Sequence, residues 1–128
     1  MISPVRWDGA RLMLLDQTLL PVREIEKPCA SWPEVADAIR TLVVRGAPAI
    51  GVAAAFGVAL AARASQATDF EGLLADLEDA IKGLGATRPT AVNLFWALER
   101  MRRETLAHRE LPLARLKERL VGEAEAIA

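Results

Sequence analysis

The sequence predicts an α+β fold: a small amino-terminal antiparallel β-meander over residues 1–30, followed by an all-α helical bundle over residues 31–128. Three observations predict it. The apolar residues recur every second position before Ser31 and every third or fourth position after it, the periods of strand and helix respectively. A chain of 128 residues has room for one core and no second domain. A hydrophobic fraction of 52% beside 26% charged residues is that of a globular protein and lies far from the composition of disordered chains.

In the meander, Val5-Arg6-Trp7 and Arg11-Leu12-Met13-Leu14-Leu15 flank Asp8-Gly9, a dipeptide suited to a tight hairpin turn. Residues 22–26 alternate in the same way and read as the third strand. Ser31 and Glu34 form a capping box for a first helix burying Val35, Ile39, Leu42 and Val43. Residues 46–62 carry no charge and read as a central helix, apolar around its circumference and covered by the others. Thr68 and Glu71 repeat the capping box ahead of a stripe of Phe70, Leu73, Leu74, Leu77, Ile81 and Leu84 that stops near Gly83 and Gly85. A further helix starts around Pro89 and buries Leu94, Phe95, Leu98 and Met101, with Glu99, Arg100, Arg102 and Arg103 toward solvent. After a short turn over residues 108–112, the last helix places Leu113, Leu116, Leu120, Ala124 and Ile127 in register. Its final residues are strong helix formers with no stop signal, so the sequence is expected to be cut short of a further domain.

The overall charge excludes some functions. A formal net charge of −1 without a long basic run argues against a nucleic-acid partner, which requires a basic face. The central helix is built mostly of alanine and glycine with Pro48 near its start, which makes it a poor membrane span, and no membrane partner is expected. The start of the chain lacks a secretory pattern and Cys29 is the single cysteine, so a reducing cytoplasmic location is expected.

The chemistry is concentrated in two segments, Val44-Arg45-Gly46-Ala47-Pro48-Ala49-Ile50-Gly51 and Ala86-Thr87-Arg88-Pro89-Thr90-Ala91-Val92-Asn93. Each sets an arginine directly before a proline, a residue that fits the first turn of a helix because its missing N–H is not needed there. A helix N-terminus disfavours a cation by about 0.3–1 kcal/mol, so something negative is expected to compensate. Free N–H groups beside a planar guanidinium suit a phosphate, and Gly46 and Ala47 leave the backbone open to close approach. The plainer alternative is that Arg45 pairs with an acid across the fold and Gly-Ala-Pro is a tight turn. Cys29 has no basic neighbour to activate it and reads as a small packed residue, and His108 reads as a solvated loop histidine.

Val35-Ala36-Asp37-Ala38-Ile39-Arg40, the string from Val44-Arg45-Gly46-Ala47-Pro48 through Phe56-Gly57, Thr87-Arg88-Pro89-Thr90-Ala91-Val92-Asn93-Leu94 and the Trp7-Asp8 hairpin closely resemble the amino-terminal region of methylthioribose-1-phosphate isomerases. The resemblance covers essentially the whole chain. It implies an aldose–ketose isomerase converting 5-methylthioribose 1-phosphate to 5-methylthioribulose 1-phosphate in methionine salvage, without metal or organic cofactor. It implies that residues 1–128 form the amino-terminal domain of a two-domain enzyme whose Rossmann-like carboxy-terminal domain is absent. Arg45, Gly46, Ala47 and Arg88 would bind the phosphorylated sugar. The family's catalytic cysteine and aspartate belong to the absent domain, so this chain is expected to hold no catalytic residue and to be inactive alone. The expected partners are the sugar phosphate, the missing domain and a second copy in a homodimer. Ribose-1,5-bisphosphate isomerases and non-catalytic regulatory subunits of the eukaryotic translation initiation exchange factor are similar in sequence and stand as the alternatives.

Overall fold

The computed structural model describes residues 4–41, 43–44, 46–89 and 91–128. Three short strands, β1 (Val5–Trp7), β2 (Leu12–Leu15) and β3 (Glu26–Cys29), form an antiparallel sheet in the order β1-β2-β3. Five helices follow: α1 (Trp32–Arg40), α2 (Ala47–Ala64), α3 (Phe70–Gly85), α4 (Val92–Ala107) and α5 (Leu113–Ile127). The α+β class, a sheet followed by helices, is therefore as predicted.

The hairpin forms where Asp8-Gly9 placed it. The Asp8 carboxylate accepts from the N–H groups of Ala10 and Arg11, and Gly9 takes a φ of +98°, open to glycine at little cost. Trp7 then stacks on Phe56 of α2 with ring centroids 5.2 Å apart, fastening the sheet to the bundle.

The third strand is displaced from residues 22–26 to Glu26–Cys29. Val22 is 87% exposed, and a 3-10 turn over Gln17–Leu19, capped by Asp16, occupies the chain before it. The reason is register: β2 is four residues long, and pairing Leu12 with Cys29 and Leu15 with Glu26 already satisfies it. Pro28 is accommodated because β3 is an edge strand, where a missing N–H is harmless. This register buries Cys29 completely. Burial, with the Glu34 carboxylate adding to it, pushes the Cys29 thiol up from an ordinary 9.0 to about 11. The neutral thiol is the form that the fold favours, so its contribution to stability is fully present below pH 9.0 and is lost as pH rises toward about 11. A thiol reagent at pH 8 is expected to leave the native chain unlabelled and to label it fully in denaturant; rapid labelling of the native chain would show that Cys29 is accessible.

The helix caps differ in detail from the predicted boxes. Ser31 does begin α1, but its hydroxyl donates to the Glu34 carboxylate at 2.9 Å instead of accepting from a backbone N–H. At α3 the cap is Asp69, whose Oδ1 accepts from the Gly72 N–H at 2.8 Å; the carboxylate is a stronger N-cap acceptor than the hydroxyl of Thr68. Val35, Ile39 and Val43 are buried as predicted, while Leu42 lies outside the described residues.

α2 is the centre of the bundle, touching α1, α3, α4 and α5. Its length of 18 residues and mean hydropathy of 1.6 do meet the criterion for a membrane span, more fully than its alanine content suggests, yet 67% of the helix is buried within the fold. Its alanines let neighbours approach closely: Ala53, Ala54, Ala55, Ala59 and Ala62 have no exposed surface. From the other side Leu73, Leu77 and Leu84 of α3, Leu94, Leu98 and Met101 of α4, and Leu116 and Leu120 of α5 close the core. Ion pairs lace the periphery, with Arg102 reaching Glu78 at 2.7 Å and Arg100 reaching Glu123 at 2.6 Å.

Candidate functional site at two helix starts

The first predicted entrance is the start of α2. Arg45 lies outside the described residues, and Gly46 and Ala47 are both exposed there. Gly46 has φ +95° and ψ 130°, a conformation confined essentially to glycine, and its carbonyl accepts the first intrahelical bond from the Ile50 N–H at 3.0 Å. The N–H groups of Ala47 and Ala49 precede that bond, and the N-cap Gly46 has no side chain to cap them. Pro48 stands in the first turn, as its missing N–H permits. Beside this turn is a hollow of about 390 Å³ walled by Gly46, Pro48, Ala49 and Val52 of α2, Val5 of β1 and Ala128.

The second entrance is built differently. Pro89 is not in the first turn of α4, which begins three residues later at Val92 with Ala91 as its N-cap. Arg88 and Pro89 instead form a preceding turn, closed by the Ala91 N–H donating to the Arg88 carbonyl at 3.0 Å. Thr87 anchors the turn to the end of α3, its hydroxyl donating to the Leu84 carbonyl at 2.6 Å. Continuing the helix backward is disfavoured because a residue before proline avoids the helical region. The matching layouts in sequence thus become a first-turn proline in one case and a pre-helical turn in the other. Arg88 is half-buried and has no carboxylate partner among the described residues. Alanine is a poor N-cap, and the Ala91 side chain gives the first N–H groups of α4 no acceptor.

The fold brings the two starts together. A Cβ built on Gly51, in the second turn of α2, would lie 3.2 Å from the carbonyl oxygen of Asn93, the second residue of α4. The early turns of the two helices therefore meet backbone to backbone. The Gly46-Ala47 turn offers exposed backbone, and the Arg88 turn a half-buried arginine with no carboxylate partner among the described residues, features that each suit an anion.

Sequence reasoning left three participants unassigned. Gly51 is the close-approach residue, and the signal was available, since a glycine within an alanine-rich helix marks tight packing. Asn93 is its partner. Phe95, predicted to be buried, is 44% exposed and forms an apolar face with Val92 at 78% and Trp96 at 52%, one turn into α4 and beside the entrance. Its ring edge lies 3.3 Å from where a Cβ on Gly85 would sit.

The remaining polar candidates are engaged elsewhere. His108 caps the carboxy-terminal end of α4, 16 residues along the helix from the entrance. It is not the solvated loop residue expected: its Nε2 lies 3.0 Å from Glu104, and the same carboxylate oxygen takes the Arg119 Nε at 2.8 Å. A larger hollow of about 440 Å³ borders Trp7, Arg63 and Lys117, at the opposite end of α2. There Arg63 donates to the Gly9 carbonyl and Lys117 to the Ser65 carbonyl, so both cations serve the packing of the hairpin and α5 on α2. Among the described residues no three His, Cys, Asp or Glu side chains gather into a metal-holding group.

Known proteins resemble this chain along its full length. Residues 43–128 match the Initiation factor 2 subunit family. The methylthioribose-1-phosphate isomerase of Syntrophotalea carbinolica is 50% identical over 127 residues, covering 99% of this chain and 37% of that protein. The methylthioribose-1-phosphate isomerase of Thermosynechococcus vestitus is 48% identical over 130 residues, again 99% of this chain and 36% of the relative. Among solved structures, 5-methylthioribose 1-phosphate isomerase from Pyrococcus horikoshii OT3 superposes with a TM-score of 0.95 at 43% identity, over 100% of this chain and 36% of that one. The translation initiation factor eIF-2B subunit delta from A. fulgidus superposes with a TM-score of 0.90 at 41% identity, over 99% and 36%. The chain spans about a third of the length of the relatives it matches.

Proposed function

The chain belongs to the Initiation factor 2 subunit family, and from that premise we propose that it is the substrate-gripping part of an isomerase acting on 5-methylthioribose 1-phosphate. The observation that carries this reading is the meeting of the α2 and α4 starts at Gly51 and Asn93, in a chain 50% identical to a methylthioribose-1-phosphate isomerase. In this reading Arg45, the Gly46-Ala47 turn and Arg88 bind the phosphoryl group, which would accept from backbone N–H groups and the guanidinium forks. Holding the phosphate fixes the sugar ring for groups that act on its carbon atoms.

Those groups lie outside this chain. The anomeric carbon carries a phosphate ester, so opening the ring requires an acid at the ring oxygen, and moving hydrogen between the first two carbons requires further positioned groups. The chain's one thiol and one imidazole are engaged elsewhere: Cys29 is buried on β3 and His108 is bound to Glu104. The cysteine and aspartate implied by the family resemblance belong to the part of the relatives that this chain does not match. The reading accordingly includes a two-domain enzyme, a homodimer, a place in methionine salvage, a cytoplasmic location, and inactivity of residues 1–128 alone. The exposed face of Val92, Phe95 and Trp96 beside the entrance supports a site completed by further polypeptide.

The close superposition on an eIF-2B subunit favours a second reading, a regulatory domain without a sugar-phosphate ligand. Calorimetric titration with 5-methylthioribose 1-phosphate separates the two. The isomerase reading expects the chain to bind the sugar phosphate without converting it, and conversion to appear when the remaining part of the Syntrophotalea carbinolica protein is fused behind residue 128. Absence of binding, with no conversion by the fusion, would favour the regulatory reading. A ribose-1,5-bisphosphate isomerase would show stronger binding to that bisphosphate.

A further inference from the structure

We propose that Gly51 is a positioning residue: by letting α2 and α4 touch through bare backbone, it sets the separation at which the Gly46-Ala47 turn and the Arg88 turn address one phosphoryl group. This rests on the sugar-phosphate reading of the two helix starts and adds to it a residue that is not itself in contact with the ligand.

The nature of the contact distinguishes Gly51 from the other packed glycines. A Cβ at Gly51 would lie 3.2 Å from the Asn93 carbonyl oxygen and 3.7 Å from both the carbonyl carbon and Cβ of Asn93. Backbone carbonyl groups in a helix cannot rotate away, so relief comes only from moving the first turn of α4 relative to α2. At Gly57, six residues further along α2, the nearest atoms to a Cβ are Leu84 Cδ1 at 3.0 Å and Cδ2 at 3.2 Å, the far end of a side chain. A rotamer change can absorb that contact without moving a helix. At Gly122 of α5 nothing lies within 4 Å.

The displaced turn would carry the N–H groups of Val92 and Asn93, along with the Arg88 turn that is hydrogen-bonded to Ala91. Donors aimed at an anion lose strength steeply as they go out of line, so a shift of a few tenths of an ångström weakens the site while the core still closes. Alanine favours helix more than glycine does, which helps Gly51→Ala to retain the fold.

The test compares Gly51→Ala, Gly57→Ala and Gly122→Ala by calorimetric titration with 5-methylthioribose 1-phosphate, alongside thermal unfolding of each. Gly51→Ala is expected to weaken binding about ten-fold, and the two other variants to stay within about two-fold of the wild type, whatever their melting temperatures. Wild-type affinity in Gly51→Ala, or an equal loss in Gly57→Ala, overturns the inference. Absence of binding by the wild-type chain removes the sugar-phosphate reading and this inference with it, a result distinct from either. A ligand-independent readout accompanies these: the amide resonances of Val92 and Asn93 are expected to move in Gly51→Ala and to stay put in Gly57→Ala, and unmoved resonances in Gly51→Ala likewise overturn the inference.

Discussion

Replacing Leu94 with alanine is expected to destabilise the chain by about 2–5 kcal/mol, lowering its melting temperature by roughly 10 °C or more. Leu94 has no exposed surface and lies in the common core, one residue beyond Asn93 in the first turn of α4. Its removal leaves a cavity that the alanine-rich face of α2 has no side-chain volume to fill, so relaxation is limited and the cost falls toward the upper part of that range. A domain of this size has about 5–15 kcal/mol to lose, so the variant stays folded at low temperature but melts early. Differential scanning calorimetry checks it. A melting temperature within about 2 °C of the wild type would mean that Leu94 is not sealed in the seam between the helices.

Arg88→Ala and Arg45→Ala are each expected to weaken 5-methylthioribose 1-phosphate binding by about 10–100-fold, since a hydrogen bond to a charged group is worth about 1.5–3 kcal/mol. The effect on stability at Arg88 is expected to be small, because its guanidinium has no carboxylate partner among the described residues whose loss would be felt. Arg88→Lys keeps the charge and gives up the planar fork, so it is expected to fall between wild type and alanine. The double alanine variant is expected to lose less than the product of the single losses, as both residues serve one phosphoryl group. Titration at two ionic strengths adds a check, because the wild-type affinity falls with salt more than that of either variant. Unchanged affinity in both single variants would remove the two-entrance site.

The sequence made some parts of this arrangement legible and hid others for identifiable reasons. Asp8-Gly9 named the hairpin because turn chemistry is local, and the leucine stripe of α3 named its buried face because a period of 3.6 is local too. Alternation in residues 22–26 predicts a strand there, whereas the register of the third strand is decided by what β2 has left to pair. Thr68 and the adjacent Asp69 both suit an N-cap, and only the helix start chooses between them. Phe95 fits the helical period, but its burial depends on whether a neighbour covers that face, and it stays 44% exposed.

For the site, the residue types were sufficient to nominate both entrances: a glycine able to hold φ +95°, a first-turn proline, and arginines at the disfavoured end of a helix. The nomination of Arg45, Gly46, Ala47 and Arg88 needs nothing beyond local stereochemistry and charge. Whether the two entrances share one ligand is a different kind of question. It depends on which helix packs on which, at what height and how closely, and α2 and α4 are separated by α3 in the chain. The tertiary structure shows that the early turns of the two helices touch at Gly51 and Asn93, where a missing side chain lets two backbones approach. The individual donors are thus a property of the sequence, and the approach of the two helices that carry them is a property of the packing.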